Sequence, residues 1–503
     1  MPRYVDEFDV PTFGSAPLAI TTDSHGRVWF TESNASKLGM FDPVNQSFKE
    51  FAVPGVGDMW GIVVDLDGHV WMTQYAGRGS VNPGGTILGG GTGRLVAFDP
   101  ANRSFASISI PSNGSFPMRL TVDGENRIWF TEFLGGKIGE YDPVSKRLQE
   151  YPLPDNTSGP ADLTFDRDGS LWFTEAYSQR LGHLNVVTHD ISEFNLSAQT
   201  PPDIVGSPVG LGVDHEGIVW VADHGGSWIV RFDPETGMTM HYPTRIPPVD
   251  VYPLSIPNGL LVDGQDRIWF SEHGGNSIGY LSEDRRTMVE YTIPSGPIST
   301  PLWIALAPNG DVWFAEWAYN KIGVVHARID VGINLNAAEE NYVSHAGDTL
   351  ALSIAARLDT PLDGNATWDY SWSSYNPNDL SVTFSKQYPG LDAAQIQTEA
   401  QTQLSTKLHP GNYTLAIGLN LGAVRVSTML TVNVQPVSRA IPSSYLPVVL
   451  VVILLAGLVT IRSRLFKARD HETTSRSHNV RMEYVEETGL LHRVSDQRND
   501  AAQ

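Results

Sequence analysis

The chain has 503 residues, of which 41% are hydrophobic and 18% charged, so it is expected to fold into two or more domains. Its formal net charge of -22 argues against a nucleic-acid partner, because the phosphate backbone would be repelled. Cysteine is absent, which excludes disulfides, thiolate catalysis and cysteine-ligated zinc.

The first eleven residues predict a strand rather than an export signal. They lack the apolar run of a signal peptide, so we expect an export signal to lie upstream of Met1. The segment Glu7–Pro11 resembles a segment that returns later in the chain, for example as Gln149–Pro154 and Glu290–Pro294. This likeness bears on how the ends of the first domain meet.

A repeated unit follows. Short runs of Val, Ile, Phe, Trp and Thr alternate with Gly, Asp, Asn and Pro, a composition typical of strands and tight turns. One tryptophan marks each copy, and the copies recur at roughly forty to sixty residues, the range of propeller blades. The marking residues are Trp29, Trp71, Trp129, Trp172, Trp220, Trp269 and Trp313.

Each copy divides into four predicted strands. The first follows a proline and ends at an aspartate, the second carries the Trp-Phe-Thr-Glu pattern, the third carries Lys-Ile-Gly, and the fourth carries Glu-Tyr. No fourth strand follows Lys321 in the last copy, so Glu7–Pro11 is expected to complete it and to pair its open edge. The sequence therefore predicts a seven-bladed β-propeller over residues 1–328.

Three further segments are predicted after the propeller. Residues 329–437 alternate like short strands and suit an immunoglobulin-like β-sandwich. The uncharged run at 446–461, preceded by Tyr445, predicts a transmembrane helix over 445–461. The tail at 462–503 is polar and predicted to be disordered.

The basic residues after the apolar run predict the orientation in the membrane. Arg462, Arg464, Lys467 and Arg469 follow the run on one side, which places the tail in the cytoplasm and the propeller outside the cell. We therefore expect a single-pass protein of the cell membrane. Sequons for N-glycosylation all precede the run and agree with this orientation: Asn34, Asn45, Asn102, Asn113, Asn156, Asn195, Asn365 and Asn412.

The repeats resemble the streptogramin B lyase (virginiamycin B lyase) family of seven-bladed β-propellers. The likeness lies in Ile128–Glu132 with Lys137–Gly139, and in Gly169–Glu175. It implies a fold over residues 4–327. It also implies an activity, because lyases of that family open a cyclic depsipeptide by elimination with magnesium.

The chain departs from that family where the resemblance places the chemistry. The lyases have a histidine after the inner-strand proline of the sixth blade, where this chain has Pro257-Asn258. They have Glu-Pro-His in the seventh blade, where this chain has Thr300-Pro301-Leu302. A leucine cannot act as a base. Although Glu316 approximates a further acid of the family, we do not expect streptogramin ring opening.

Acidic residues recur at one place in the second strands and are predicted to form a ring around the axis. Carboxylates at one height would repel each other unless a cation or hydrogen-bond donors compensated them, so magnesium or calcium is one prediction. The alternative is that each acid binds backbone N–H groups as a structural link. The positions are Glu32, Gln74, Glu132, Glu175, Asp223, Glu272 and Glu316, with a metal predicted at Asp223, Glu272 and Glu316.

Four other residues are candidate ligand contacts. His224 and His273 each follow one of these acids, and a histidine beside an acid can serve as a base or a ligand. Asn258 and Trp317 complete the predicted set.

Three functions remain open from the sequence. The first is a membrane-anchored extracytoplasmic protein that binds a small molecule, a surface protein or a glycan at the propeller face. The second is a metal-dependent enzyme, either a divergent lyase or a lactonase-like hydrolase. The third is a structural or adhesive protein of the cell envelope. A metal with an open coordination position would favour the enzyme.

Overall fold

The computed structural model describes residues 3–55, 57–76, 91–196, 206–245, 254–358, 366–374, 377–385 and 395–436. Within these ranges the secondary structure is β-strand, apart from two 3-10 turns at Ser33–Ala35 and Pro377–Asp379. The prediction of an all-β propeller is confirmed.

The strands of the first region form four-stranded antiparallel blades. The chain begins with β1 (Val5–Asp9), which belongs to the last blade. Blade one contains β2 (Pro17–Thr22), β3 (Val28–Glu32), β4 (Lys37–Asp42) and β5 (Ser47–Ala52). Blade two contains β6 (Asp58–Val64), β7 (Val70–Ala76), β8 (Thr92–Asp99) and β9 (Ser104–Asn113). Blade three contains β10 (Pro117–Val122), β11 (Ile128–Glu132), β12 (Lys137–Asp142) and β13 (Arg147–Pro152).

The later blades repeat this order from the innermost strand outwards. Blade four contains β14 (Pro160–Phe165), β15 (Leu171–Glu175), β16 (Arg180–Leu184) and β17 (Ile191–Asn195). Blade five contains β18 (Pro208–Val213), β19 (Val219–Asp223), β20 (Trp228–Asp233) and β21 (Met238–Pro243). Blade six contains β22 (Pro257–Val262), β23 (Ile268–Glu272), β24 (Ser277–Leu281) and β25 (Thr287–Thr292). Blade seven contains β26 (Pro301–Leu306), β27 (Val312–Glu316) and β28 (Lys321–Val325), followed in the sheet by β1.

The aspartate and the tryptophan of the repeat bond to each other inside a blade. In blade three, Asp123 Oδ1 accepts the backbone N–H of Arg127 at 2.8 Å, and its Oδ2 accepts the indole N–H of Trp129 at 2.9 Å. One carboxylate thus closes the tight turn and satisfies the buried indole donor. Six blades share this bond, with acceptors Asp23, Asp65, Asp123, Asp166, Asp214 and Asp263. The seventh blade has Ala307 at the end of its inner strand.

The threonine of the second strand joins neighbouring blades. Thr131 accepts the N–H of Arg119 in its own blade at 3.0 Å and donates to the carbonyl of Ala161 in the next at 3.2 Å. The same pair of hydrogen bonds is made by Thr31, Thr73, Thr174 and Ser271. A hydroxyl is needed here because it both donates and accepts.

The N-terminal strand β1 completes blade seven. It pairs antiparallel with β28, with Glu7 opposite Gly323. Val10 donates its N–H to the carbonyl of Asn320 at 3.0 Å, and the Asn320 amide bonds back to Val10. The first and last parts of the ring are therefore joined by backbone hydrogen bonds.

The strands after the propeller form two sheets. They are β29 (Ile333–Ala337), β30 (Asn341–His345), β31 (Thr349–Leu358), β32 (Ala366–Trp372), β33 (Leu380–Phe384), β34 (Gln395–Leu404), β35 (Gly411–Leu421) and β36 (Val424–Gln435). One sheet has the order β29-β31-β34-β33. In the other, β36 lies between β35 and β25 of blade six, so an eight-stranded sheet continues out of the propeller.

The sequence did not predict this shared sheet. The expected boundary at residues 328 and 329 separates two segments of chain, yet Val289 of blade six lies opposite Val426 of β36. One hydrophobic core contains Phe314 of blade seven together with Trp368 and Val426 of the following strands. The assignment of these strands to the immunoglobulin class stays a prediction.

The predicted transmembrane helix at 445–461 and the tail at 462–503 lie outside the described residues. Within the part of the chain that is described, no helix has the length and apolar character to cross a membrane.

Candidate functional site

The second-strand acids interact within their own blades and not with one another across the axis. In blade three, Glu132 stands opposite Lys137 in the sheet register, and Lys137 Nζ lies 3.4 Å from Glu150 Oε2 on the fourth strand. Burial raises the pKa of Glu132 to about 8, and the charge of Glu150 adds to this effect. Glu132 thus belongs to a carboxyl–cation–carboxyl cluster of its own blade, and the ring around the axis stays a prediction.

The cluster recurs in four blades with one acid from the second strand, one cation from the third and one acid from the fourth. The pKa of Glu32 rises to about 7 and that of Glu316 to about 8, in each case mainly because of burial. Burial also raises the pKa of Glu175. The four clusters are Glu32–Lys37–Glu50, Glu132–Lys137–Glu150, Glu175–Arg180–Glu193 and Glu316–Lys321–Glu7.

Blade six takes its cation from outside the propeller. Ser277 occupies the place of the lysine, and its hydroxyl bonds to Glu272. The cation is Arg425 of β36, which is 1% exposed and bonds to Glu290. Its other acidic partner is Asp369, at 2.9 Å. Burial raises the pKa of Glu272 to about 8, with a further contribution from the charge of Glu290.

Blades two and five depart from the cluster. Gln74 stands opposite Arg94 and donates to the carbonyl of Gly57 at 3.4 Å. Asp223 accepts the backbone N–H of Ser207 at 2.8 Å, and burial raises its pKa. Asp223 thus binds backbone N–H groups, as expected of a structural link.

The three predicted metal ligands are not brought together. Asp223 accepts the backbone N–H of Ser207, Glu272 accepts the hydroxyl of Ser277, and Glu316 stands opposite Lys321 in the sheet register. The described part of the chain holds no group of three or more acids or histidines placed to bind a metal ion. The physical reason is that Glu272 and Glu316 face the outer strands of their blades. Bound magnesium or calcium stays a prediction for which the described residues offer no site.

The two predicted histidines do meet. The rings of His224 and His273 lie 5.4 Å apart between centroids, at 57°, across the boundary of blades five and six. Burial lowers the pKa of His224 to about 3 and that of His273 to about 4. Both imidazoles are therefore neutral near pH 7.

Asn258 and Trp317 have different surroundings. Asn258 is 6% exposed and donates its amide to the carbonyl of Leu302 at 2.7 Å, which links blades six and seven. Its contacts favour a structural role over the predicted ligand contact. Trp317 is 47% exposed, so it has the accessibility that a ligand contact needs.

Sequence reasoning missed a cluster at the centre of the ring, which we call the axial cluster: Arg119, Asp162 and Trp303. The guanidinium carbon of Arg119 in blade three lies 3.9 Å from the ring centroid of Trp303 in blade seven. Arg119 Nε also lies 3.2 Å from Asp162 Oδ1 in blade four. All three stand two residues after the inner-strand proline, so aligning the six inner strands that have this proline would have found them.

The other inner strands have small residues at this position. They are Ala19, Gly61, Gly210 and Gly259. A Cβ atom on Gly210 would lie 2.2 Å from the carbonyl oxygen of Asn258, and one on Gly259 would lie 2.8 Å from that of Leu302. Neighbouring inner strands approach so closely that larger side chains have no room there.

Aromatic side chains collect where the inner strands begin and the second strands end. These two points are adjacent, as the pairing of Pro117 with Glu132 shows. We call this end of the ring the mouth. Between blades, Phe116 contacts Trp60 and Tyr75, and Phe133 contacts Tyr177, at centroid distances of 5.0 to 5.2 Å. Within blade three, Phe116 and Phe133 lie 6.1 Å apart. Exposed side chains at the mouth are Phe13, Tyr177, Ile298, Trp317 and Tyr319.

The fold and the mouth define a seven-bladed β-propeller with an aromatic opening. Residues 107–339 match the model of the virginiamycin B lyase family, so the resemblance predicted from the sequence is confirmed for this part of the chain. A search of curated proteins gave no match.

Solved structures agree with this likeness. A streptogramin B lyase structure is similar with 27% identity and a TM-score of 0.54, covering 64% of this chain and 97% of that chain. Virginiamycin B lyase from Staphylococcus aureus has 24% identity and a TM-score of 0.53, covering 64% of this chain and 98% of its own. A catalytically inactive variant of that enzyme, solved with quinupristin, gives the same values.

Proposed function

We propose that this protein is a membrane-anchored extracytoplasmic propeller that binds a ligand with an aromatic or apolar group at its mouth and does not convert it. The observation that carries the proposal is the set of exposed aromatic side chains at the mouth. Tyr177 is 56% exposed, Trp317 47% and Tyr319 41%, although aromatic rings of this size are usually buried. Aromatic side chains exposed around an opening are available to contact a ligand, since ligand sites are lined mainly by apolar and aromatic groups.

The residues beside the mouth support binding without conversion. The lyases that the repeat resembles have histidines where this chain has Asn258 and Leu302. The Asn258 amide donates a hydrogen bond to the Leu302 carbonyl at 2.7 Å, and the leucine side chain has no ionisable group. A general base has to reach the proton that it removes, and neither residue supplies one.

Calorimetric titration of the full-length protein in lipid nanodiscs with 2-naphthamide tests the binding. Trp317→Ala and Tyr177→Ala should each weaken binding by up to about tenfold, since an aromatic pair contributes about 0.5–1.5 kcal/mol beyond its buried area. Val187→Ala is the matched control, because Val187 is 83% exposed in a turn at the opposite end of its blade. No binding by the parent, or equal losses in all three variants, would contradict the proposal.

Quinupristin tests the absence of conversion. It is held by the inactive Staphylococcus aureus enzyme in its solved structure. With magnesium and the full-length protein, we expect no ring opening above the uncatalysed background. Elimination leaves the mass unchanged, so the opened product has to be resolved by chromatography. Opening at a rate well above background would show that this chain is a lyase.

One observation favours the enzyme as a second candidate. His224 and His273 are adjacent across the boundary of two blades, and histidine side chains can bind a substrate or transfer protons. If the pair is catalytic, turnover of an eventual substrate should be lost in His273→Gln while ligand affinity is kept. If it is a packing contact, the same variant should leave turnover and affinity alike unchanged.

A further inference from the structure

We propose that Arg119 binds a carboxylate at the floor of the mouth, so that the ligand is an aromatic or apolar carboxylic acid. This inference rests on the function proposed above and narrows its ligand class. It follows from the position of the guanidinium, from the donors it leaves unused, and from the surfaces around it.

Arg119 extends across the centre of the ring towards blade seven instead of along its own blade. Its guanidinium carbon lies 3.9 Å from the ring centroid of Trp303, which belongs to the opposite side of the ring. Stacking on an aromatic face fixes the plane of a guanidinium and leaves its in-plane N–H donors available. Trp303 is 2% exposed, so this platform is itself held in place by packing.

Asp162 does not use up the guanidinium. Arg119 bonds to it through Nε alone, at 3.2 Å. The aspartate also accepts the backbone N–H of Leu163 at 3.0 Å and of Leu211 at 3.4 Å, which ties it to blades four and five. The buried Nη1 of Arg119 has no acceptor among the described residues. An arginine has five donors in a planar fork, and a carboxylate accepts two of them side by side.

The surroundings favour a ligand with an apolar body. Met118 and Leu302 are half-buried beside Arg119 and Trp303, and both pack in the hydrophobic cluster that includes Trp60 and Phe116. The Arg119 side chain is 15% exposed, so it is not fully enclosed by protein. A charge pair formed among such groups is less screened than one in water.

The test compares two probes of the same shape. Full-length protein in lipid nanodiscs is titrated with 2-naphthoate and with neutral 2-naphthamide. We expect naphthoate to bind the parent at least tenfold more tightly. Arg119→Met should abolish this preference by weakening the binding of naphthoate to about that of naphthamide. Arg167→Met is the matched control, because Arg167 is exposed in a turn at the opposite end of blade four, and it should keep the preference.

The outcomes separate the inference from the function on which it rests. Equal affinity of the parent for both probes would overturn the carboxylate site and leave the binding function standing. Binding of neither probe would overturn both. If Arg119→Met fails to fold, Arg119→Lys is measured instead. Lysine keeps the positive charge but lacks the planar guanidinium donors that bind a carboxylate side by side. A lysine variant with the full preference for naphthoate would contradict recognition by the guanidinium.

A pair of peptides distinguishes two sources of the bound carboxylate, a peptide C-terminus and a small aromatic acid. N-acetyl-Ala-Ala-Phe with a free carboxylate is compared with its C-terminal amide. Tighter binding of the free-acid peptide than of naphthoate identifies a peptide C-terminus as the ligand. Tighter binding of naphthoate identifies a small aromatic acid. Either result supports the site, provided that Arg119→Met removes the preference.

Discussion

The pairing of β36 with β25 of blade six contains one buried ion pair. Arg425 and Glu290 are 1% and 2% exposed, and they bond to each other in the sheet that joins the propeller to the following strands. Arg425→Met keeps the length of the side chain and leaves Glu290 without a counter-ion. Removing one partner of a buried ion pair costs about 3–5 kcal/mol, because the remaining charge is desolvated and unpaired.

This cost converts into a shift of the melting temperature. Residues Met1–Pro436 form one compact unit. At about 2.1 cal/mol/K per residue, unfolding of this unit has an entropy of roughly 0.9 kcal/mol/K, so Arg425→Met should lower the melting temperature by about 3–5 °C. Calorimetry of the full-length protein measures it. Arg286→Met is the control, since the Arg286–Glu340 pair on the same edge is exposed and should change the melting temperature by less than about 1 °C.

A second substitution tests the stated cause. Glu290→Gln added to Arg425→Met removes the unpaired negative charge and should restore most of the lost stability. If Arg425→Met melts like Arg286→Met, or if the added glutamine restores nothing, the unpaired carboxylate is not the source of the destabilisation.

Three further predictions concern closure, pH and topology. Deletion of residues 1–11 exposes the edge of β28, so it should lower the melting temperature by several degrees and promote aggregation. Asp9→Ala, which alters an exposed side chain, is the control and should do neither. A deletion variant as stable as the parent refutes closure by β1. The pKa of Glu132 is raised to about 8, so between its ordinary 4.5 and about 8 the folded state holds a proton that the unfolded state releases, and stability falls as pH rises through this window. Glu132→Gln should flatten that fall in melts at several pH values, and an unchanged slope would contradict the assignment. Protease added to intact cells should remove the propeller and spare a tag placed after Gln503; loss of the tag with the propeller protected would reverse the predicted topology.

The sequence determined the blade and its repetition, because the interactions that form a blade are local. The aspartate that ends an inner strand bonds to a tryptophan six positions later, as Asp123 does to Trp129, so the pair returns at a fixed spacing in the printed chain. Alternating apolar positions and turn residues predicted the order of the strands within each blade. The same regularity pointed to Glu7–Pro11 as a fourth strand, since that segment matches the fourth strands of other copies.

The tertiary structure decided where side chains from distant blades meet. Equal positions of the second-strand acids suggested a ring, but a strand position does not say which neighbour a side chain faces, and Glu132 and Glu316 face the outer strands of their own blades. Arg119 meets Trp303 because closure of the ring brings blade three opposite blade seven. Arg425 replaces the lysine of blade six because β36 pairs with β25, and no repeat in the sequence links those two strands. Contacts made by ring closure and strand addition depend on the whole fold, so no local pattern records them.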